Sequence, residues 1–188
     1  MPMDVGIISK RYARALMSFA RQHQVEDRLY GECKTLVSSY QAEPALRKVL
    51  ENPLLPKEEK LKLICTAAVG DAAPSDQLVR FIELVLAHHR ENYLQFMCLI
   101  YIDMYRKLKH VAVAKLTTAV PLTPEMEEKI NALSGRRLHA SMELHTVVDP
   151  AIEGGFIFDI NDYRLDASVA AQIRRIKRQF IEKNKKIV

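Results

Sequence analysis

Glycine is scarce in this chain, tryptophan is absent, and cysteine occurs only three times. A chain poor in glycine and rich in Leu, Ala, Lys and Glu leans towards helix. Cys33, Cys65 and Cys98 are far apart and no CxxC occurs, which excludes a zinc knuckle and a thioredoxin-like site. Their odd number predicts a reducing compartment and no disulfide frame, with each thiol serving as apolar filler in a helix. Long hydrophobic runs are missing as well. The most apolar stretch, FMCLIYIDMY, is broken by Asp103 and falls short of the roughly 20 residues a membrane span needs. The N-terminus lacks the apolar segment of a signal peptide, which favours a bacterial chain over a mitochondrial precursor. HExxH, GxSxG, GxGxxG and GxxxxGK[ST] do not occur.

What is present suits a globular protein with a real core: 48% hydrophobic and 27% charged residues over 188 positions, enough for one large domain or two small ones. The net charge of +5 is uneven. Residues 164–188 carry eight basic and two acidic side chains, so the remainder of the chain is close to neutral. A basic tail on a near-neutral body is a poor match to a surface that coats nucleic acid throughout.

Residues 7–23 place Ile8, Tyr12, Ala15, Leu16 and Phe19 at helical spacing, and Ala13, Met17 and Ala20 widen the stripe. A stripe wider than one core contact needs can serve two partners. Further helices are predicted at 25–41, from Pro44 to just before Asn52-Pro53, from Pro56 to Gly70, from Ser75 or Asp76 to about His89, and from Asn92 to about 108. Near residue 110 the pattern changes. VAVAKLTTAV has strand character, a helix is predicted over 124–134, RLHASMELHTVV and FIFDI alternate with a period of two, and Asp166 caps a last helix. The fold predicted is α+β: a six-helix all-α bundle over 1–108, then a small β-α-β-β-α unit over 109–188, with the boundary at 106–110. Val169, Ile173, Ile176 and Phe180 form one stripe of the last helix, which is expected to pack on the sheet, with Phe156 and Phe158 facing the core.

Candidate chemistry is thin. Gly154-Gly155 is followed by a strand rather than a helix, so it turns the chain and cradles no phosphate. The run Asp159, Asn161, Tyr163, Arg164 fails the calcium-loop pattern at its third ligand and its glycine, and reads as a polar hairpin turn. His88 and His89 are adjacent and point about 100° apart on a helix; His139 and His145 are too far apart along a strand to share an ion. No metal, cofactor or catalytic residue is predicted. The basic last helix leaves one alternative open, a nucleic-acid-binding module, whose association would fall steeply with salt.

Three blocks carry a family resemblance: ISKRYARALMSFA, NPLLPKEEKLKLI and VVDPAIEGGFIFDINDYRLDASVAAQIRRIKRQF. In this order, and over essentially the whole chain, they resemble the delta subunit of bacterial F-type ATP synthases, related to the mitochondrial oligomycin-sensitivity-conferring protein. The last block is the most specific; FDINDYRL departs from the more basic strand and turn common in the family. The resemblance implies a non-catalytic stator subunit, present once in a hetero-oligomer, peripheral on the cytoplasmic face of the bacterial inner membrane. It implies that unit 1–108 binds the catalytic head by holding the N-terminal helix of an alpha subunit in a groove between the first and fifth helices. Tyr12, Ala15, Phe19, Ile82, Val85 and Leu86 are the residues expected there. It implies further that unit 109–188 grips the peripheral stalk of b subunits, for which Arg174, Arg175 and Arg178 are the expected contacts.

Overall fold

Among the described residues, helices fill the first part of the chain, and a sheet and a long final helix fill the second. The structure, a computed structural model, describes residues 3–70, 72–123, 126, 142–160 and 163–185. The chain divides into two compact units, Met1–Leu108 and Lys109–Val188.

In the first unit, α1 spans Met3–His23 and α2 Glu26–Ala42. Gln24, in the left-handed region at φ 56°, makes the turn between them. The short α3, Ala45–Glu51, stops at Asn52, whose extended backbone is what a following proline demands. α4, Lys57–Val69, starts after Pro56 with Glu58 and Glu59 in its first turn and ends at Gly70, whose φ of 62° suits a residue without Cβ. α5, Asp76–Ala87, is capped by Ser75, whose Oγ accepts from the Leu78 N–H. A 3-10 turn at Glu91–Tyr93 leads into α6, Leu94–Lys109.

The amphipathic faces of these helices meet in one core, drawn from every helix of the unit and including the fully buried Leu29, Leu36, Ile64, Leu78, Ile82, Leu94, Met97 and Tyr101. Two buried polar contacts fix how the helices meet. The Glu32 carboxylate on α2 accepts from the Ser75 N–H at 2.9 Å and from the Ser75 hydroxyl, while Arg28 Nε donates to it at 3.2 Å. The start of α5 is thereby tied to α2. Lys60 on α4 donates to Glu91 at 2.7 Å, with both side chains largely out of water. Cys33 and Cys98 are buried and Cys65 half-buried.

In the second unit, β1 (Ala112–Thr118) pairs in parallel with β2 (Met142–Val148) and antiparallel with β3 (Phe156–Ile160). β4 (Tyr163–Asp166) completes a four-stranded sheet of order β2-β1-β3-β4. α7 (Val169–Lys185) follows. Gly155, at φ 72°, turns the chain where a Cβ would collide with the carbonyl oxygen of Ala167, so the close approach of these two segments requires glycine. The Val169 N–H donates to Gly154 O at 3.0 Å, which pins the start of α7 to that turn.

The chain is therefore α+β, helices first and sheet second. Three details differ from the sequence expectation. The expected hairpin is present, but its second arm is a fourth strand that was not expected, because Tyr163–Asp166 pair antiparallel with β3 despite their exposed side chains. The side chain that caps α7 is Ser168, whose Oγ accepts from the Ala171 N–H, and Asp166 holds Ser168 in turn. Finally, the apolar stripe of α7 does not pack on the sheet: Val169, Ile173, Ile176 and Phe180 are 40–66% exposed. Only the first turn of the helix is anchored, and residues 172–181 all face solvent. Apart from Met126, which is helical, the helix predicted at 124–134 lies outside the described residues, as do the strand residues Leu138, His139 and Ala140.

Candidate protein-docking site

Helix α1 has more apolar surface than its own bundle covers. Ala13, Leu16, Met17 and Ala20 face the core, while Ala15 remains exposed and Phe19 half-exposed. On α5 the core takes Leu78, Phe81, Ile82, Val85 and Leu86, and Leu84 is left 47% exposed. These leftovers face each other. Ala15, Leu16, Phe19, Arg80, Phe81 and Leu84 line an open hollow of about 330 Å³ between the two helices. Leu16 and Phe81, both nearly buried, form its floor; Ala15, Phe19 and Leu84 form its walls.

Tyr12 supports the floor. Its ring meets that of Phe81 edge-on, with centroids 6.4 Å apart. Arg90 Nη1 donates to the Tyr12 hydroxyl at 3.1 Å, and the guanidinium carbon lies 5.3 Å from the centre of the same ring. Both contacts restrict the rotamer of Tyr12, and through it the position of Phe81. Phe19 is braced by His23 with ring centroids 4.6 Å apart.

A hollow lies between the two helices expected to form a groove, and its α5 side is composed differently from the expectation. Ala15 and Phe19 line it, and Tyr12 lies beneath it. Ile82 and Val85 are 0% exposed, so neither has surface to offer a partner, and Leu86 faces a second, smaller hollow towards α4 together with Leu61 and Glu83. The residues in their place are Arg80, Phe81 and Leu84. Leu84 lies off the stripe of Leu78, Phe81, Ile82, Val85 and Leu86, as Val79 and Ala87 do, and the helical period alone does not single it out.

In the second unit Arg174, Arg175 and Arg178 are exposed on α7. Arg174 Nη2 stands 4.0 Å from Asp166 Oδ2. Hydrogen bonds from Ser168 to its side chain, and then the charges of Arg174 and Arg164, hold the Asp166 carboxyl below its ordinary range. Phe156, expected in the core, is 41% exposed at the sheet end, and Phe158 is half-buried between its cross-strand neighbours Leu116 and Leu165.

Among the described residues no group of three His, Cys, Asp or Glu side chains is arranged to hold a metal, and no helix is long and apolar enough to cross a membrane.

Against this geometry the comparisons with known proteins are decisive. The family described as ATP synthase delta (OSCP) subunit matches residues 8–180. The chain belongs to the ATP synthase delta (OSCP) subunit family. It is 57% identical to ATP synthase subunit delta of Bacteroides thetaiotaomicron over 99% of this chain and 100% of the relative. It is 39% identical to the subunit of the same name from Parabacteroides distasonis, over 96% of this chain and 99% of that one. A chain in the structure of the Toxoplasma gondii mitochondrial ATP synthase hexamer shares the fold, with a TM-score of 0.65 at 18% identity over 92% of this chain and 97% of that chain. Delta subunits are structural, so this chain is a non-catalytic subunit of an ATP synthase, and membership sets aside the nucleic-acid alternative.

Proposed function

We propose that this delta-family chain is a stator connector: its helical unit holds the N-terminal helix of an alpha subunit in the α1–α5 groove, and its second unit grips the b-subunit stalk. The observation that carries the reading is the open groove lined by Ala15, Leu16, Phe19, Phe81 and Leu84. An amphipathic helix buries apolar area along its length through anchors at i, i+3, i+4 and i+7, which is the shape of contact such a groove accepts. Rotation inside the synthase exerts torque on the catalytic head, and a long helix-in-groove contact resists torque better than a point contact does. The same reading puts the protein at the cytoplasmic face of the membrane, held there by its partners, one copy per complex.

The test is a peptide of the alpha-subunit N-terminus titrated into the full chain. Ala15→Asp and Leu84→Asp, both at exposed wall positions, should each weaken binding by about thirtyfold or more, the size of a hot-spot loss. Binding equal to wild type in the double variant removes the groove from the mechanism.

A further inference from the structure

We infer that α7 docks its partner through a narrow seam of Val169, Ile173, Ile176 and Phe180 that accepts an acidic amphipathic helix, with Arg174, Arg175 and Arg178 turned away from the contact. The inference rests on the stalk-gripping reading of the second unit and assigns the face that does the gripping.

The seam residues are spaced four, three and four apart. That is the alternation of a and d positions in a heptad. At about 100° per residue they fall within a narrow row along the helix; Arg178 is nearly opposite that row, and Arg174 and Arg175 lie about 130° from it on either side. The positions beside the seam are Ala170, Gln172, Lys177 and Gln179. None adds a large apolar side chain. A helix that packs on its own domain shows a wider stripe, with e or g apolar as well; a strict a/d stripe is the narrower mark of a helix-to-helix seam. The exposure agrees with this: all four seam residues are 40–66% open, and the domain covers only the first turn of α7.

The occupant follows from width and charge. A lipid surface takes a broad apolar face, and this one is a single row. A second copy of α7 would bring six basic residues against six, with Glu182 as the only acid on each helix. A partner helix with carboxylates flanking its own apolar row meets Lys177 beside the seam and lies in the positive field of the whole helix. From Val169 to Phe180 the contact runs about three helical turns.

The test uses the full chain, the soluble helical part of a stalk b subunit from the same synthase, the alpha-subunit peptide as a control of fold, and vesicles of equal phosphatidylcholine and phosphatidylglycerol. The double variant Ile173→Asp, Ile176→Asp should lose at least about thirtyfold in affinity for the stalk helix and keep its affinity for the alpha peptide. The variant Arg174→Glu, Arg178→Glu should lose less than about tenfold, a loss that fades as salt is raised. Equal losses in the two variants overturn the inference, since the basic face would then be the contact. So does wild-type affinity in the seam variant, or a seam variant that loses vesicle binding and keeps the stalk. A wild-type chain that ignores the stalk helix while binding the alpha peptide overturns the stalk reading itself, and is told apart because no variant is needed to see it.

Discussion

The helical unit draws Leu29, Leu36, Ile64, Leu78, Ile82 and Met97 to zero exposure, whereas the second unit leaves Ile173, Ile176 and Phe180 more than half exposed. Among the described residues the buried apolar set of the second unit is short: Ala114, Leu116, Ile152 and Ile157. The difference separates two ways of building a connector. The first unit closes a core on itself and keeps a shallow hollow floored by Leu16 and Phe81. The second presents an amphipathic helix whose apolar side stays open to solvent. The first unit's stability is intramolecular; on the proposed docking of α7, part of the second unit's would come with assembly.

The largest test of this contrast is Ile82→Ala. The side chain is fully enclosed, and truncation should cost about 4 kcal/mol of unfolding free energy in urea denaturation. Leu84→Asp, two residues along the same helix, should change stability by less than about 0.5 kcal/mol, because its side chain already faces water. If the two variants are equally destabilised, the division of α5 into a core face and a groove face is wrong.

Next in size is Lys60→Ala. It strands the Glu91 carboxylate, whose Oε2 already lacks a hydrogen-bond partner, in a site nearly out of water. Breaking such a pair from one side should cost about 3 kcal/mol, measured by the same denaturation. The second unit offers no equivalent among its described ion pairs, since Arg164–Asp159 and Arg174–Asp166 are both largely exposed and contribute little.

Acid sharpens the comparison. Burial alone would raise the Glu91 carboxyl, but hydrogen bonding from Lys60, then its own backbone and the Lys60 charge, outweigh it and hold the group below its ordinary value. A carboxyl depressed in the folded state stabilises fully above its unfolded pKa of about 4.3 and loses that contribution as pH falls through the folded value. The helical unit should therefore weaken below about pH 4, and Glu91→Gln should flatten that part of the stability profile followed by circular dichroism. A slope unchanged in the variant would assign the acid response to other groups.

Much of this architecture was legible in the sequence, for a local reason. Asn52-Pro53, Pro56, Gly70 and Ser75 set helix ends through the backbone of their own neighbourhood, and each does so in the structure. Which face of a helix meets which neighbour is not local. The period of α5 identifies Ile82, Val85 and Leu86 as sharing a side, but it takes the packing of α5 on α1, α2 and α4 to turn that side inward and to leave Leu84 at the groove. The strand Tyr163–Asp166 escaped notice because it is short and exposed, and only its pairing with β3 defines it. The stripe of α7 was read correctly as a stripe, and its cover was assigned wrongly. An apolar row meant for the chain's own sheet and one meant for another chain look alike until the sheet's own surface is known.

The smallest expected effect is at Ile173, and it compares isoleucine with isoleucine. Ile173→Ala removes the same atoms as Ile82→Ala. Where Ile82 leaves a cavity in a closed core, Ile173 leaves only a change of solvated surface, 51% of it open already. The loss in the free chain should stay within about 0.5 kcal/mol, and helix propensity, in which alanine exceeds isoleucine, offsets part of it. A loss of about 2 kcal/mol or more would show that α7 is covered in solution by its own sheet, and the contrast between a closed unit and an open one would fail. A loss near zero in the free chain that grows once the stalk helix is bound would place the burial of this isoleucine in the assembled state, where the second unit's core is completed.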